Sequence, residues 1–194
     1  MLATLFSLAV IIGSSQEVQV SPTQVHYEHA PAEEGNLPLD SKDKHPVLIG
    51  SVTTEMILRH RSEFYDVYEK VQISPELTEQ WKTIETPYTI AVVFGSWCED
   101  SHRWLPDLIR LAETPNPYIS VCWIGVSRNK TTKKSAWPPQ SIRQKIKKVP
   151  TIWLFTQVPG GKTKLVGSIV ENPPRTDQTM AEALVELMRR NYLL

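Results

Sequence analysis

Two nearly continuous apolar runs mark the centre of the chain. The segments 88–94 and 119–126 are rich in β-branched residues, which is typical of strands covered on both faces. Between them, over 98–113, apolar residues recur at helical spacing: Leu105, Leu108, Ile109 and Ala112. A strand, a helix and a second strand in this order predict a parallel βαβ unit.

Further elements are predicted on both sides of this unit. Segments 151–155 and 164–170 flank Pro159-Gly160-Gly161, a pattern that predicts an antiparallel hairpin. A last helix over 179–190 begins with Thr179 and Glu182 at capping-box spacing. Apolar positions over 53–71 fit one helix, and a short helix is predicted to begin at Ser74. We therefore expect an α/β three-layer sandwich, with a mixed central sheet, helices on both faces and extra N-terminal helices.

The N-terminal region differs from the rest of the chain. Residues 1–15 combine an apolar run with small residues, as a secretory signal peptide does, and the run is too short to span a membrane. A buried N-terminal element is the alternative. Residues 16–51 show no sustained period, which predicts a linker or an arm lying over a domain formed by 52–194. The protein is thus expected to be exported, to a periplasm or to the outside.

Charge is balanced over the 194 residues, with 21 basic and 21 acidic side chains. This balance argues against a nucleic acid partner. One segment, 127–150, carries eight basic residues and no acid: Arg128, Lys130, Lys133, Lys134, Arg143, Lys145, Lys147 and Lys148. Such a segment would attract an acidic peptide or a small anionic thiol, or it is an ordinary solvated basic face.

Cys98 is placed where a cysteine can be reactive, at the predicted junction of a strand and a helix. Unpaired N–H groups and the helix dipole favour a thiolate there, and the hydroxyl of Ser101 is one turn away. The neighbouring acids Glu99 and Asp100 act in the opposite direction. The second cysteine, Cys122, is expected to be a core residue unless the fold brings it close enough to Cys98 for a disulfide. The five histidines show no metal-ligand spacing, so neither a metal nor a cofactor is predicted.

Two separated motifs resemble the thioredoxin family. Its active-site segment reads Trp-Cys-x-x-Cys with a helix proline five residues later; this chain has Trp97, Cys98, Ser101 in place of the second cysteine, and Pro106. Downstream, Val149-Pro150-Thr151 is similar to the family's cis-proline loop before the last two strands. The family's buried acid, six residues before the first cysteine, is replaced here by Val92. The chain has thus lost both the second thiol and the acid that would deprotonate it.

The resemblance implies thiol-disulfide exchange with a single active-site cysteine. Cys98 would be the nucleophile and Ser101 its hydrogen-bond partner, while Trp97, Val149 and Pro150 would bind the substrate. Without a resolving thiol, such a site suits a monothiol disulfide oxidoreductase or isomerase acting on protein or small-thiol disulfides. The alternative is a redox-inactive module that holds extended peptides beside the cis-proline loop.

Overall fold

A computed structural model of the protein describes residues 37–192. The predicted signal peptide and residues 16–36 of the predicted arm lie outside the described residues. Within 37–192 the chain forms five strands, five α-helices and a short 3-10 helix, Lys134–Ala136. In chain order the strands and α-helices are β1 (Gly50–Val52), α1 (Thr54–His60), α2 (Ser62–Tyr68), α3 (Pro75–Lys82), β2 (Tyr88–Phe94), α4 (Glu99–Ala112), β3 (Ile119–Gly125), β4 (Thr151–Val158), β5 (Lys162–Val170) and α5 (Met180–Tyr192).

The strands form one mixed sheet in the order β1-β3-β2-β4-β5. Strand β2 pairs with β3 in parallel, from Tyr88 opposite Ile119 to Phe94 opposite Gly125, which confirms the predicted βαβ unit. Strand β4 is antiparallel to both β2 and β5, which confirms the predicted hairpin. The short β1 pairs with β3 in antiparallel fashion and closes the other side of the sheet.

Alternating residues of β2 divide the core between the two faces of the sheet. Ile90, Val92 and Phe94 pack with apolar residues of all five α-helices. Ala91 and Val93 pack on the opposite face with Ala136 and Trp137, which lie in and directly after the 3-10 helix. Covered faces on both sides give the three layers that the sequence predicts.

Two helix starts form as their sequences predict. The Ser74 hydroxyl accepts a hydrogen bond from the Leu77 amide, and Pro75 occupies the first helical position of α3. At the start of α5, the Thr179 hydroxyl accepts from the Glu182 amide while the Glu182 carboxylate accepts from the Thr179 amide. Both arrangements satisfy N–H groups that a helix leaves unpaired.

The single helix predicted over 53–71 is wrong. Helices α1 and α2 are separated at Arg61, whose backbone is extended, with φ −143° and ψ 138°. The guanidinium of Arg61 reaches back to the Asp43 carboxylate at 3.4 Å. Apolar spacing alone does not register this long-range contact, so the pattern could not locate the break.

Residues 37–49, which we call the arm, lie against the domain near the end of β3. Val47 and Leu48 are buried, and the Leu48 amide donates to the hydroxyl of Ser96 at 3.1 Å. A Cβ at Gly125 would come within 2.3 Å of the Leu48 carbonyl oxygen, so the two backbones meet where β3 carries glycine. Among residues 37–192, no helix has both the length and the apolar character needed to cross a membrane.

Candidate functional site

The turn after β2 is built around a glycine. The indole of Trp97 lies over Gly95, where an added Cβ would be 2.6 Å from the nearest ring atom. The Cys98 amide donates to the Gly95 carbonyl at 2.9 Å, which closes the turn just before α4 begins. The absence of a side chain at Gly95 therefore lets the chain fold sharply enough to present Cys98 at the end of the central strand.

Cys98 is the N-cap residue of α4 and is half-buried. Its thiol donates a hydrogen bond to the carbonyl oxygen of Val149, with the sulfur and oxygen 3.4 Å apart. The peptide bond between Val149 and Pro150 is cis. The structure thus brings Cys98 close to Val149 and Pro150, two predicted site residues that follow it by about fifty positions in the sequence.

The backbone of Val149 also presents an unused donor. Its amide makes no hydrogen bond to any acceptor within residues 37–192, while its carbonyl accepts only from Cys98. The loop on either side is held firmly: the Thr151 hydroxyl donates to the Lys148 carbonyl at 2.8 Å, and the Glu171 amide donates to the Pro150 carbonyl at 2.7 Å. A fixed loop with an unpaired amide is the arrangement that pairs with an extended peptide, although Val149 itself is only 4% exposed in this structure.

Ser101 is fully buried, and its hydroxyl oxygen accepts from the Gly95 amide at 3.3 Å. The predicted hydrogen bond between Ser101 and Cys98 is not formed in the described structure. The serine oxygen instead supplies the acceptor that the first amide of the turn needs. Ser101 therefore stabilises the turn that carries Cys98.

Trp97 is held from both ends. Its indole N–H donates to the Val126 carbonyl at 3.0 Å, and the guanidinium of Arg128 lies 4.8 Å from the ring centroid. Arg128 in turn donates to the buried carboxylate of Asp40 in the arm at 2.7 Å. This hydrogen bond holds the pKa of Asp40 below its ordinary value. No local pattern predicts the link between Asp40 and Arg128, since 87 residues lie between them.

His102 lies within the same region but does not bond to the cysteine. Its Nε2 donates to the Ser96 carbonyl at 2.9 Å, and its ring meets Phe64 edge-on with 4.6 Å between the centroids. His102 thus connects α4 to the turn and to α2. The imidazole therefore positions the turn relative to α2 and α4. Its spacing of four residues from Cys98 in the sequence does not reveal this role.

Cys122 differs from Cys98 in its surroundings. Both cysteines are free, and Cys122 lies within β3 opposite Ala91. Burial raises the pKa of the Cys122 thiol to about 11. Its thiolate is therefore scarce at neutral pH, although by solvent exposure Cys122 is half-buried, as Cys98 is, and belongs to neither core cluster. No group of three His, Cys, Asp or Glu side chains within residues 37–192 comes together in a way that could hold a metal ion.

Comparisons with known proteins agree with this architecture. A family model described as Thioredoxin matches residues 51–184. A search of curated proteins found none that matches the chain. Among solved structures, the chain is similar to an HIV epitope scaffold at 17% identity, covering 75% of this chain and 94% of that one with a TM-score of 0.51. It is also similar to a protein of unknown function from Pseudomonas aeruginosa, at 20% identity and a TM-score of 0.47, covering 75% of this chain and 86% of that one. At 17% identity the similarity to the epitope scaffold indicates the fold alone.

Proposed function

Since the chain belongs to the thioredoxin family, we propose that it is an exported thiol-disulfide exchange protein with Cys98 as its single nucleophile. The observation that carries the proposal is the placement of the Cys98 thiol at the start of α4, 3.4 Å from the Val149 carbonyl. Such a protein is a monothiol oxidoreductase or isomerase, and its substrates are protein or small-thiol disulfides. Export is proposed from the apolar run between Leu2 and Ile12.

The first turn of α4 supports a nucleophilic cysteine. No side chain caps the N-terminus of this helix, because its N-cap residue is Cys98 itself. The unpaired N–H groups there can donate hydrogen bonds to the Cys98 thiolate once the thiol has lost its proton. The hydrogen bond to Val149 exists only while the thiol is protonated, so reaction requires that bond to break. The freed carbonyl, beside the unused Val149 amide, can then pair with the backbone of an incoming peptide.

The exchange step needs no cofactor. The Cys98 thiolate forms a new S–S bond with one sulfur of the substrate disulfide, the original S–S bond breaks, and the other sulfur leaves as a thiolate. The number of disulfide bonds is unchanged, so no electrons enter or leave. A second thiol from solution or from the substrate must then release the mixed disulfide, since Ser101 cannot.

The proposal predicts that a mixed disulfide accumulates on Cys98. The protein with Cys122→Ala as background is incubated with a peptide disulfide, and the adduct is followed by intact mass spectrometry. One equivalent of adduct is expected, and none with Cys98→Ala. With Ser101→Cys, the introduced thiol should resolve the adduct into an intramolecular disulfide at least about tenfold faster than water or buffer components release it.

A second candidate is favoured by the contact of Ser101 with Gly95, which shows the position serving the turn. This candidate is a redox-inactive module that binds extended peptides at Val149. It requires that Cys98→Ser binds peptide as tightly as the unaltered chain and that no adduct forms on Cys98. Absence of the adduct, with the thiol intact by mass, would replace the exchange proposal with this one.

A further inference from the structure

We propose that the substrate which Cys98 attacks is an acidic polypeptide segment, recruited by exposed cations that surround the Val149 edge. This inference rests on the proposed function and names its substrate class. The cations, which we call the basic rim, are six residues of the segment between β3 and β4: Lys130, Lys133, Lys134, Arg143, Lys145 and Lys147.

The segment that carries the basic rim is anchored beneath the site. Its apolar residues Ala136, Trp137 and Val149 are buried in one cluster, against which Ile146, Trp97 and Cys98 also pack. The rings of Trp137 and Trp153 lie 5.4 Å apart, which fixes the segment to β4. Because the same cluster includes both the segment and the cysteine, the charges that flank these apolar residues belong to the surroundings of Cys98.

The cations of the basic rim are free to meet a ligand. Lys133, Lys134, Arg143, Lys145 and Lys147 are exposed, and Lys130 is half-buried. None of the six forms a salt bridge with an acid of residues 37–192, whereas the two other basic residues of the segment do: Arg128 with Asp40, and Lys148 with Glu171. The segment contains no acid, so six positive charges of the segment that leads into Val149 have no acidic partner among residues 37–192.

The two residues that directly follow the cysteine carry the opposite charge. Glu99 and Asp100, in the first turn of α4, form no salt bridge within the described residues. An acidic run near these two residues would be repelled, while the same run near Lys145 and Lys147 would be attracted. The site therefore selects a cysteine that has acidic residues on one side of it in the sequence, and not on both.

The test uses peptides in which one cysteine is linked through a disulfide to 2-nitro-5-thiobenzoate. When the Cys98 thiolate forms an S–S bond with the peptide sulfur, the bond to the reporter breaks and the coloured reporter thiolate leaves. Four peptides are compared: four Glu before the cysteine, four Glu after it, four Gln, and four Lys. We expect one acidic peptide to react about tenfold or more faster than the Gln peptide at low salt, with the advantage lost at high salt.

Matched variants locate the effect. Lys145→Gln with Lys147→Gln should remove most of the acidic preference, measured within each protein as the ratio of the acidic-peptide rate to the Gln-peptide rate. Lys162→Gln with Lys164→Gln removes the same charge from exposed positions near the start of β5, where Lys164 pairs with Thr156 far from Cys98. This control pair should keep the preference.

The outcomes separate this inference from the proposed function. Reaction of all four peptides at equal rates would overturn the acidic preference and leave exchange at Cys98 standing. An equal loss of preference in the control pair would also overturn it, because the charge effect would then not belong to the basic rim. Failure of Cys98 to react with any peptide would overturn both proposals. Tighter binding of a single-stranded oligonucleotide than of the acidic peptide to the unaltered chain would assign the rim to another ligand.

Discussion

Ser101 stands at the position where the resemblance places a second cysteine, and its contacts show a different use for that position. The hydroxyl oxygen satisfies the Gly95 amide inside a fully buried turn. A hydroxyl is a better acceptor for this amide than a thiol, since sulfur is a weak hydrogen-bond acceptor. Serine at position 101 therefore has two effects: it removes the resolving thiol, and it satisfies the Gly95 amide in the turn.

Asp107 is a buried acid on α4 that the exchange chemistry does not use. Its carboxylate accepts from the Ala181 amide at 2.9 Å, at the start of α5, yet burial raises its pKa to about 6. The raised pKa favours the protonated form in the folded state. This contribution to stability is fully present below pH 3.8, the ordinary value, and is lost as the pH rises through about 6.

Replacement of this acid predicts a flatter pH profile of stability. Since one pKa unit corresponds to about 1.4 kcal/mol, ionisation of Asp107 costs the folded state about 3 kcal/mol at pH 8. Urea unfolding of Asp107→Asn should therefore lose less free energy between pH 4 and pH 8 than the unaltered chain does. Asp66→Asn, at an exposed position of α2, is the matched control and should keep the original profile. Identical profiles for the unaltered chain and Asp107→Asn would show that ionisation of Asp107 is not the source of the pH dependence of stability.

The two thiols should differ sharply in reactivity. With a pKa raised to about 11, Cys122 is almost wholly protonated at pH 8, whereas Cys98 is half-exposed at a helix start. Ellman's reagent at pH 8 should titrate one thiol in the native protein, absent in Cys98→Ala, and two after unfolding. Cys122 should react at least about a hundredfold more slowly than Cys98 in the native state. Two fast thiols, or one that persists in Cys98→Ala, would contradict the assignment.

At the level of elements, the arm supports the site through both backbone and side-chain contacts. Leu48 donates to Ser96 in the cysteine turn, and its carbonyl lies against Gly125 at the end of β3. Asp40 holds Arg128 over Trp97 through its buried carboxylate. The arm therefore fixes three parts of the site at once: the turn, the end of β3 and the indole.

A side chain at Gly125 should displace the arm. Its Cβ would lie 2.3 Å from the Leu48 carbonyl oxygen, and a backbone obstacle cannot rotate away. Gly125→Ala should cost about 1–3 kcal/mol of unfolding free energy and increase proteolysis within 37–49. In Gly167→Ala, another strand substitution, the obstacle is the flexible end of Leu187 at 2.8 Å, so the loss should be smaller and the arm should stay protected. Equal losses of unfolding free energy in the two variants, with unchanged proteolysis of residues 37–49, would show that the close contact between Leu48 and Gly125 does not hold the arm.

At the scale of the whole molecule, the sequence predicts the central sheet better than the contacts between distant parts. The run 88–94 and the hairpin around Gly160 follow from local periodicity and turn chemistry, and both form. Strand β1 has three residues and gives no period to detect, and Asp43, which pairs with Arg61 at the break between α1 and α2, lies eighteen residues before it. The Asp40 to Arg128 pair has no local signature at all. Local rules thus recover the framework, while long-range ion pairs and backbone contacts require the fold.

The elements that carry Cys98 and the segment that carries the basic rim differ in the same way. Cys98 stands on the central strand and α4, which pack into the larger core, whereas the basic rim stands on a segment whose only regular structure is the three-residue helix Lys134–Ala136. That segment is secured by a few buried side chains, chiefly Trp137 and Val149. Its exposed positions can therefore be rewritten without disturbing the sheet. The molecule is in this sense modular: under the proposed function, an acidic version of the rim between the same anchors should redirect Cys98 towards basic partners.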